Sequence, residues 1–309
     1  MSKVVQTNDM IGQPLVTVVI PTYNHAEFLK RALDSVVAQT YKDWEAIVVN
    51  NFSTDNTIVI VESFNDERIR LINFRNNGII AASRNRGIEA ARGKYVAFLD
   101  SDDIWYPEKL QVCLDQAETG AQLICHGELW VNTDNSRREV MYGPAKRAKY
   151  QSLLFRGNCI STSATFITTQ LLRSVSGFDE SDQIVTAEDY DLWLRLAETK
   201  PKTVFVPQIL GEFHRLKNSA SSAVLRNLAS EKTVLQKHFA LQPKTIFTKL
   251  KIRHRFAIAN YGAARQLSNQ PRRALVLFFT AIRLSPIFIR SYPGLIILAK
   301  RTLFRSTES

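Results

Sequence analysis

The sequence lacks the features that mark secreted and membrane-spanning proteins. No run of about 18 apolar residues occurs among its 309 residues, so no transmembrane helix is expected. The amino-terminal stretch MSKVVQTNDMIGQPLV has no apolar core of the kind found in signal peptides. Cys113, Cys125 and Cys159 are scattered and do not have the spacing of metal ligands, which favours reduced thiols. These absences predict a cytoplasmic protein.

Glycine is missing from the position where many nucleotide-binding folds need it. The stretch PTYNHAEF, which follows the first predicted strand, contains no glycine. A dinucleotide-dependent oxidoreductase would carry G-x-G-x-x-G here, and a nucleotidyltransferase would carry a glycine-rich phosphate loop. The missing glycines argue against both classes, although a nucleotidyltransferase of similar architecture stays an alternative.

Acidic residues are almost absent from the last part of the chain. Residues 225–309 hold 16 Lys and Arg against only Glu231 and Glu308, a net charge of +14, whereas residues 1–224 carry a net charge of −3. The apolar residues between these basic ones are mostly aliphatic, which favours an anionic membrane surface over nucleic acid as the partner. We predict a basic helical region at 223–309 that docks on the inner face of a membrane, with no nucleic-acid partner. The alternative is a packed subdomain whose charges are merely solvated.

The first hundred residues alternate between predicted strands and helices. LVTVVIPTY, WEAIVVN, IRLINF and KYVAFL read as strands, and Pro21 is expected to end the first because proline cannot donate to a sheet ladder. This alternation predicts an α/β fold with a twisted, mostly parallel sheet flanked by helices. Ligands of such sheets bind beyond the carboxyl ends of the strands, where PTYN, NNFSTD and DSDD lie.

The acidic stretch DSDD directly follows the fourth predicted strand. Asp100 and Asp102 have the i, i+2 spacing that allows two carboxylates to share one hard divalent cation. Mg²⁺ or Mn²⁺ takes one or two protein carboxylates and completes its shell with water and substrate phosphates. The position after a buried strand favours a metal site over a solvated loop.

Several longer stretches resemble glycosyltransferase family 2. They are VVIPTYNHAEFLKRALDSVVAQTYKDWEAIVVNNFSTDNT, NNGIIAASRNRGIEAARGKYVAFLDSDD, GFDE and EDYDLWLRLA, in the family's order. The resemblance covers about residues 14–222 and implies a GT-A fold, a nucleotide-sugar donor (a UDP-, dTDP- or GDP-sugar) and inversion at the transferred sugar. It divides the chain into an N-terminal extension (1–13), a donor-binding half (14–105) and an acceptor half (106–222).

The resemblance also assigns donor-binding residues. Where this sequence has Asn51, the family usually has an aspartate that bonds the base, and an amide could still accept the imide N–H of uracil or thymine. Arg84 lies where the family often places an arginine that faces phosphate. Asp100 and Asp102 match the family's D-x-D motif and would hold the metal. The full donor-binding set is Pro21, Thr22, Tyr23, Asn51, Arg84, Asp100 and Ser101.

Two further positions concern the acceptor and the pyrophosphate. Asp189, in EDYD, lies where the family carries the general base that deprotonates the acceptor hydroxyl, and Glu188 is its immediate rival. GEFHRLKNSAS departs from the family's Tyr-Arg-x-His pattern, so His214 and Arg215 are only possible contacts of the pyrophosphate or metal.

Together these features predict an inverting glycosyltransferase that acts on a hydroxyl of a glycan or lipid-linked acceptor in cell-surface polysaccharide biosynthesis. The alternative outside enzymes is a non-catalytic protein that binds carbohydrate or a membrane surface. A processive polysaccharide synthase is disfavoured, since QLLRS lacks the tryptophan of Q-x-x-R-W.

Overall fold

The computed structural model describes residues 14–216, 223–267, 269–290 and 292, so the predicted extension at 1–13 lies outside the described residues. The strands within this part are β1 Val16–Thr22, β2 Trp44–Asn50, β3 Ile69–Asn73, β4 Tyr95–Phe98, β5 Ile104–Trp105, β6 Leu123–Val131, β7 Arg137–Val140, β8 Thr165–Thr168 and β9 Thr203–His214. The α-helices are α1 Ala26–Val37, α2 Thr57–Ser63, α3 Ile80–Ala90, α4 Lys109–Glu118, α5 Tyr150–Arg156, α6 Thr169–Ser174, α7 Glu188–Glu198, α8 Val224–Phe239, α9 Ile246–Gln266 and α10 Pro271–Leu284. No helix in these ranges is both long enough and apolar enough to cross a membrane.

The chain forms two compact units, each assembled from separate stretches of sequence. The first contains the described residues up to 144 together with 160–178 and 201–214. The second contains 145–159, 179–200 and the described residues from 215 onward. The boundaries predicted at 105 and 222 therefore do not coincide with the edges of the compact units, because two stretches before residue 201 fold together with the C-terminal helices.

One mixed sheet organises the first unit. Its strands follow the order β3-β2-β1-β4-β8-β6-β9-β5, and β7 pairs with β6. The four strands β3, β2, β1 and β4 are parallel, which confirms the predicted α/β architecture with its mostly parallel sheet. Every residue of β1, β2 and β4 is buried, as expected for parallel strands covered on both faces. The carboxyl ends of β1, β2 and β4 consequently meet at one edge of the sheet.

Helix α1 covers one face of these strands. Its buried residues Leu29, Leu33 and Val36 recur at helical spacing and pack in the same core cluster as Val18 of β1. The loop before α1 is thereby anchored at the carboxyl edge.

Pro21 does not end β1, contrary to the sequence-based expectation. The strand continues to Thr22, and Pro21 pairs in register with Val49 of β2. On the other side, β4 pairs with β1 only as far as Val19 and Phe98. Because β1 has a neighbour on one side only at Pro21, a missing N–H there costs no ladder bond.

Close packing at Gly93 fixes the connection between α3 and β4. A Cβ atom at this position would lie 2.6 Å from the backbone nitrogen of Thr17, which leaves no room for a side chain. The Gly93 N–H also donates to Oγ1 of Thr17 at 2.9 Å. The tight turn holds the C-terminal end of α3 against β1.

A buried carboxylate, Asp191, holds the second unit together. It accepts hydrogen bonds from Nε of Arg195 at 2.6 Å and from Nζ of Lys237 at 2.8 Å, and it lies 3.2 Å from Nε2 of His238. Burial alone would raise its pKa, but the hydrogen bonds from His238 and Lys237 and the charge of Arg195 outweigh burial and hold the pKa well below its ordinary value. Asp191 therefore joins α7 to α8.

We expect Asp191→Ala to lower the free energy of unfolding by about 1–3 kcal/mol, because the buried His238 and the partly buried Arg195 lose their acceptor, whereas Lys237 is exposed enough to be solvated. Since the pKa of Asp191 is lowered in the folded state, its contribution is present above the unfolded pKa of about 3.9 and is lost as the pH falls through the folded pKa. Urea unfolding of both proteins at neutral and acidic pH measures this. Asp182→Ala, an exposed aspartate of the same unit, is the matched control. An equal loss from both substitutions would contradict the assigned role.

Candidate functional site

The loops that follow β1 and β2 are held together by side chains of the two polar motifs. Oδ1 of Asn24 accepts from the Thr54 N–H at 2.8 Å, and Oγ of Ser53 accepts from the Asn24 N–H at 2.9 Å. Oδ2 of Asp55 accepts from the Ala26 N–H at 2.9 Å, at the start of α1. PTYN and NNFSTD therefore act as one structural element at the carboxyl edge of the sheet.

Three predicted donor-binding residues lie at the end of β1. Pro21 and Thr22 are buried, and the Thr22 carbonyl accepts from the Asn51 N–H at 3.0 Å. Oγ1 of Thr22 is buried and has no hydrogen-bond partner within the described part of the chain. Tyr23, by contrast, has 54% of its surface exposed, so its ring is available for stacking.

Asn51 is fixed by the loop after β3. Its Oδ1 accepts from the Asn76 N–H at 3.0 Å, so one of the two lone pairs predicted to receive the base is already used. The neighbouring Phe52 is half-exposed at a φ of 53°, an uncommon conformation for a bulky residue. The Arg75 guanidinium lies 5.0 Å from the centre of its ring. An exposed aromatic–cation pair thus stands next to Asn51.

The DSDD turn contacts both α3 and the PTYN loop. Nη2 of Arg84 donates to Oδ1 of Asp100 at 2.7 Å, and the buried guanidinium also lies 5.4 Å from the centre of the Phe178 ring. Oγ of Ser101 lies 3.0 Å from Nδ1 of His25. The structure therefore brings Arg84, Asp100 and Ser101 together at this turn, and their donor-binding roles stay predictions. His25, which sequence reasoning had missed, lies beside them.

Burial and neighbouring acids raise the pKa values of Asp102 and Asp103 in this turn and of the nearby Glu128. Burial and the charge of Asp100 raise the pKa of Asp102 to about 6. Burial, with the charges of Asp102 and Glu128, raises the pKa of Asp103 well above its ordinary value. Glu128 is itself buried, and its pKa is raised to about 7. This corner of the first unit has an excess of negative charge.

Asp103 is a buried structural link that sequence reasoning had not assigned. It accepts from Oγ of Ser163 at 2.5 Å and from the His214 N–H at 3.0 Å. The same Ser163 hydroxyl oxygen accepts from the Asp100 N–H at 3.1 Å. One carboxylate therefore connects the DSDD turn to the segment before β8 and to the end of β9.

His214 reaches the DSDD turn through its backbone, whereas its ring lies among other side chains. Nε2 lies 2.8 Å from a carboxylate oxygen of Glu212 and 3.4 Å from Nη2 of Arg31. Arg215 follows His214 directly and belongs to the second unit. Their predicted roles at a pyrophosphate stay predictions.

The donor set of the turn suits a hard divalent cation. Asp102 makes no ion pair with any basic side chain of the described residues, and Asp100 uses one oxygen for Arg84. Nowhere in the described ranges do three or more His, Cys, Asp or Glu side chains form a metal-binding group. Mg²⁺ and Mn²⁺ need only one or two protein carboxylates when substrate phosphates complete the shell, so Asp100 and Asp102 fit this cation.

The three acids of EDYD, in the second unit, have different environments. Glu188 is buried and accepts from the Thr186 N–H at 2.7 Å, and Asp191 is the buried link described above. Asp189 is only half-buried; it accepts from the Tyr190 N–H at 2.7 Å, and Nδ2 of Asn158 lies 3.5 Å from its other oxygen. Asp189 is therefore the acid of this motif whose side chain is least committed to packing.

The parallel strands, the linked loops at their carboxyl edge and the acidic turn after β4 define a GT-A fold. The family model described as "Glycosyl transferase family 2" matches residues 17–175, just over half of the chain. The chain belongs to glycosyltransferase family 2.

Two curated relatives align over most of their own length. TuaG of Bacillus subtilis, named as a teichuronic acid biosynthesis glycosyltransferase, is 30% identical over 214 residues, which cover 68% of this chain and 82% of that protein. WfgD of Escherichia coli, named as a UDP-Glc:alpha-D-GlcNAc-diphosphoundecaprenol beta-1,3-glucosyltransferase, is 30% identical over 222 residues, covering 72% and 85%.

Solved structures share the fold at low sequence identity. TarS 1–349 of S. aureus, in complex with UDP-GlcNAc, has a TM-score of 0.66 at 16% identity and covers 92% of this chain and 88% of its own. The mannosyltransferase PcManGT of Pyrobaculum calidifontis, in complex with GDP-Man and Mn²⁺, has a TM-score of 0.57 at 19% identity, with coverage of 94% and 80%.

Replacing Asp103 by alanine should loosen both ends of the link that it forms. We expect Asp103→Ala to lower the free energy of unfolding by about 1–3 kcal/mol, since two buried donors lose their acceptor. Hydrogen exchange should accelerate at the His214 and Asp100 amides and stay unchanged in β2. Asp115→Ala, an exposed aspartate of α4, is the control. Unchanged exchange at His214 would contradict the link.

Proposed function

We propose that the protein is an inverting, metal-dependent glycosyltransferase that transfers a sugar from a nucleotide-sugar donor to a hydroxyl of a glycan or lipid-linked acceptor. The observation that carries this proposal is the junction of the loops after β1, β2 and β4 around Asp100 and Asp102. Relatives named for teichuronic acid synthesis and for glucosyl transfer to a diphosphoundecaprenol-linked sugar support a role in cell-surface polysaccharide synthesis.

The nucleoside of the donor binds between the loops after β1 and β2. Tyr23 offers an exposed ring, Thr22 an unpartnered buried hydroxyl, and Asn51 an amide whose orientation is fixed by Asn76. The remaining lone pair and the NH₂ group of Asn51 can each bond a base edge. A UDP-, dTDP- or GDP-sugar is the donor class that these groups suit.

The diphosphate of the donor faces the DSDD turn. A divalent cation held by Asp100 and Asp102 would supply positive charge to the leaving nucleoside diphosphate. Arg84 holds Asp100 in position from α3, and Ser101 and His25 fix the turn from the other side. His214 and Arg215 are further candidates for contact with the pyrophosphate.

Asp189 is the proposed general base. It lies in the first turn of α7, where the helix dipole favours its ionised form. Its rival Glu188 is buried and accepts a hydrogen bond from the backbone N–H of Thr186. In the proposed reaction Asp189 takes the proton of the acceptor hydroxyl as the oxygen attacks the anomeric carbon and the bond to the diphosphate breaks. A single displacement of this kind inverts the configuration. Because a lipid-linked acceptor lies in a bilayer, this function also places the enzyme at the inner face of a membrane as a peripheral protein.

Removing the metal ligand tests the cation role. Asp102→Ala should lower transfer on the order of a hundredfold or more, since a bound cation contributes several kcal/mol to charge stabilisation. Asp102 ionises in the folded protein at about pH 6. Above that pH and without metal, the melting temperature of the Asp102→Ala variant should equal or exceed that of the unaltered protein, because the variant lacks the repulsion between Asp102 and Asp100.

The matched measurements are thermal shifts with UDP, with and without Mn²⁺, on the unaltered protein, Asp102→Ala and Asp115→Ala. Metal should increase the shift in the first and third proteins only. Full activity in excess chelator would refute the cation role.

The second test distinguishes the two acids at the start of α7. Asp189→Asn should lower kcat by roughly 10²–10⁴-fold with the donor KM nearly unchanged, because the residue acts on the acceptor. Glu188→Gln should lower the melting temperature but leave kcat nearly unchanged, since the Glu188 side chain accepts a hydrogen bond from the Thr186 N–H. The reverse pattern would assign the base to Glu188. Tight donor binding with no turnover in the unaltered protein, whatever the sugar, would favour a binding protein.

A further inference from the structure

Helices α9 and α10 form an antiparallel hairpin in the second unit. Nδ1 of His254 lies 2.9 Å from Oγ of Ser285, and the rings of Tyr261 and Phe278 lie 5.9 Å apart. The first contact therefore comes earlier than the second along α9 but later than the second along α10. The start of α9 and the end of α10 consequently lie at the same end of the hairpin. We call residues 244–251, around the start of α9, the hairpin end.

The hairpin end exposes a group of large apolar side chains. Phe247 has 74% of its surface exposed and Ile246 65%. Further along the hairpin, the inward-facing Ala257, Ala264 and Phe278 are buried, so the two helices have a normal packed interior. The exposed group consists of Ile246, Phe247 and Leu250. Apolar groups of this size on a surface mark a binding site more often than chance exposure does.

The same end carries positive charge that no acid balances. The sequence between Glu231 and Glu308 contains no Asp or Glu. The basic residues within or next to the hairpin end are Lys244, Lys249, Lys251 and Arg253. A partner must therefore offer both negative charge and an apolar phase.

Of the available partners, an anionic bilayer offers both. Its headgroups attract Lys and Arg near the surface, and its acyl boundary accepts side chains such as Phe247 and Leu250. A second copy of the chain would bring the same lysines against each other, which repels. Nucleic acid would satisfy the charge but would leave Ile246, Phe247 and Leu250 in water.

We propose that the hairpin end is the surface by which this protein binds anionic membranes, with its apolar side chains inserted at the headgroup boundary and its lysines on the headgroups. This surface rests on the proposed function in one respect: a lipid-linked acceptor gives the enzyme a reason to be at a membrane. It identifies the part of the basic C-terminal region that makes the contact.

Vesicle sedimentation of the full chain tests the surface without any donor or acceptor. We expect binding to vesicles of phosphatidylcholine with phosphatidylglycerol, little binding to phosphatidylcholine alone, and release at about 1 M salt, where charges are screened beyond about 3 Å. Lys244→Gln, Lys249→Gln and Lys251→Gln together should weaken partitioning by about fivefold per lysine, on the order of a hundredfold in all.

The apolar part is tested with Phe247→Ser and Leu250→Ser together, which should weaken partitioning by at least about tenfold. The control for the apolar variant is Val59→Ser with Met141→Ser, which removes two exposed apolar side chains elsewhere. The control for the lysine variant replaces three exposed lysines elsewhere by Gln: Lys42, Lys94 and Lys200. Both controls should bind as the unaltered protein does. Because all of these residues are exposed, melting temperatures should not change.

Equal partitioning of the hairpin-end variants and their controls would overturn the proposal. So would stronger salt-sensitive binding to RNA than to vesicles, or a dimer in solution that Phe247→Ser with Leu250→Ser converts to monomer. Transfer to a water-soluble acceptor, measured in parallel, separates the two ideas: the hairpin-end variants should keep it. Vesicle binding without any transfer would contradict the proposed function alone, and transfer without vesicle binding would contradict this surface alone.

Discussion

The repulsion among three carboxylates within four residues, at the end of β4, is the constraint on which the candidate site depends. Each is compensated in a different way. Asp100 pairs with the buried Arg84, and Asp103 accepts from Ser163 and from the backbone of β9. Asp102 makes no ion pair within the described residues, and burial together with the charge of Asp100 raises its pKa to about 6. The turn is thus held in place by two of its acids and retains unbalanced charge on the third.

The acids at the start of α7 also differ from one another in burial. All three acids accept internal hydrogen bonds, but Glu188 and Asp191 are buried, whereas Asp189 between them is half-buried. A motif that is rich in acids therefore does not contain several interchangeable catalytic groups. In both places, neighbouring acids of one motif differ in their burial and in their hydrogen-bond partners.

Much of this arrangement could be predicted from the sequence because its signals are local. The buried strands appear as apolar runs, and parallel topology places the polar stretches after β1, β2 and β4 at one edge. What could not be predicted depends on partners distant in the chain. Asp103 acts through Ser163 and His214, and the amide oxygen of Asn51 is engaged by Asn76.

The wrong expectation for Pro21 has the same cause. A proline ends a strand only where a neighbour needs its N–H, and the length of β4 determines that. The predicted division at residue 222 follows a change in composition, whereas the compact units follow contacts such as those of Asp191. Local sequence patterns indicate helices and strands, whereas contacts between residues distant in the chain determine where a strand ends and which segments form one compact unit.

The link from Asp191 in α7 to Lys237 and His238 in α8 also bears on how such enzymes diversify. A recombination event that exchanged the segment after residue 222 between two relatives would separate a buried anion from its cations. Hybrids would survive only where the incoming α8 supplied matching charges. The EDYD helix and the C-terminal helices are therefore expected to be inherited as a unit.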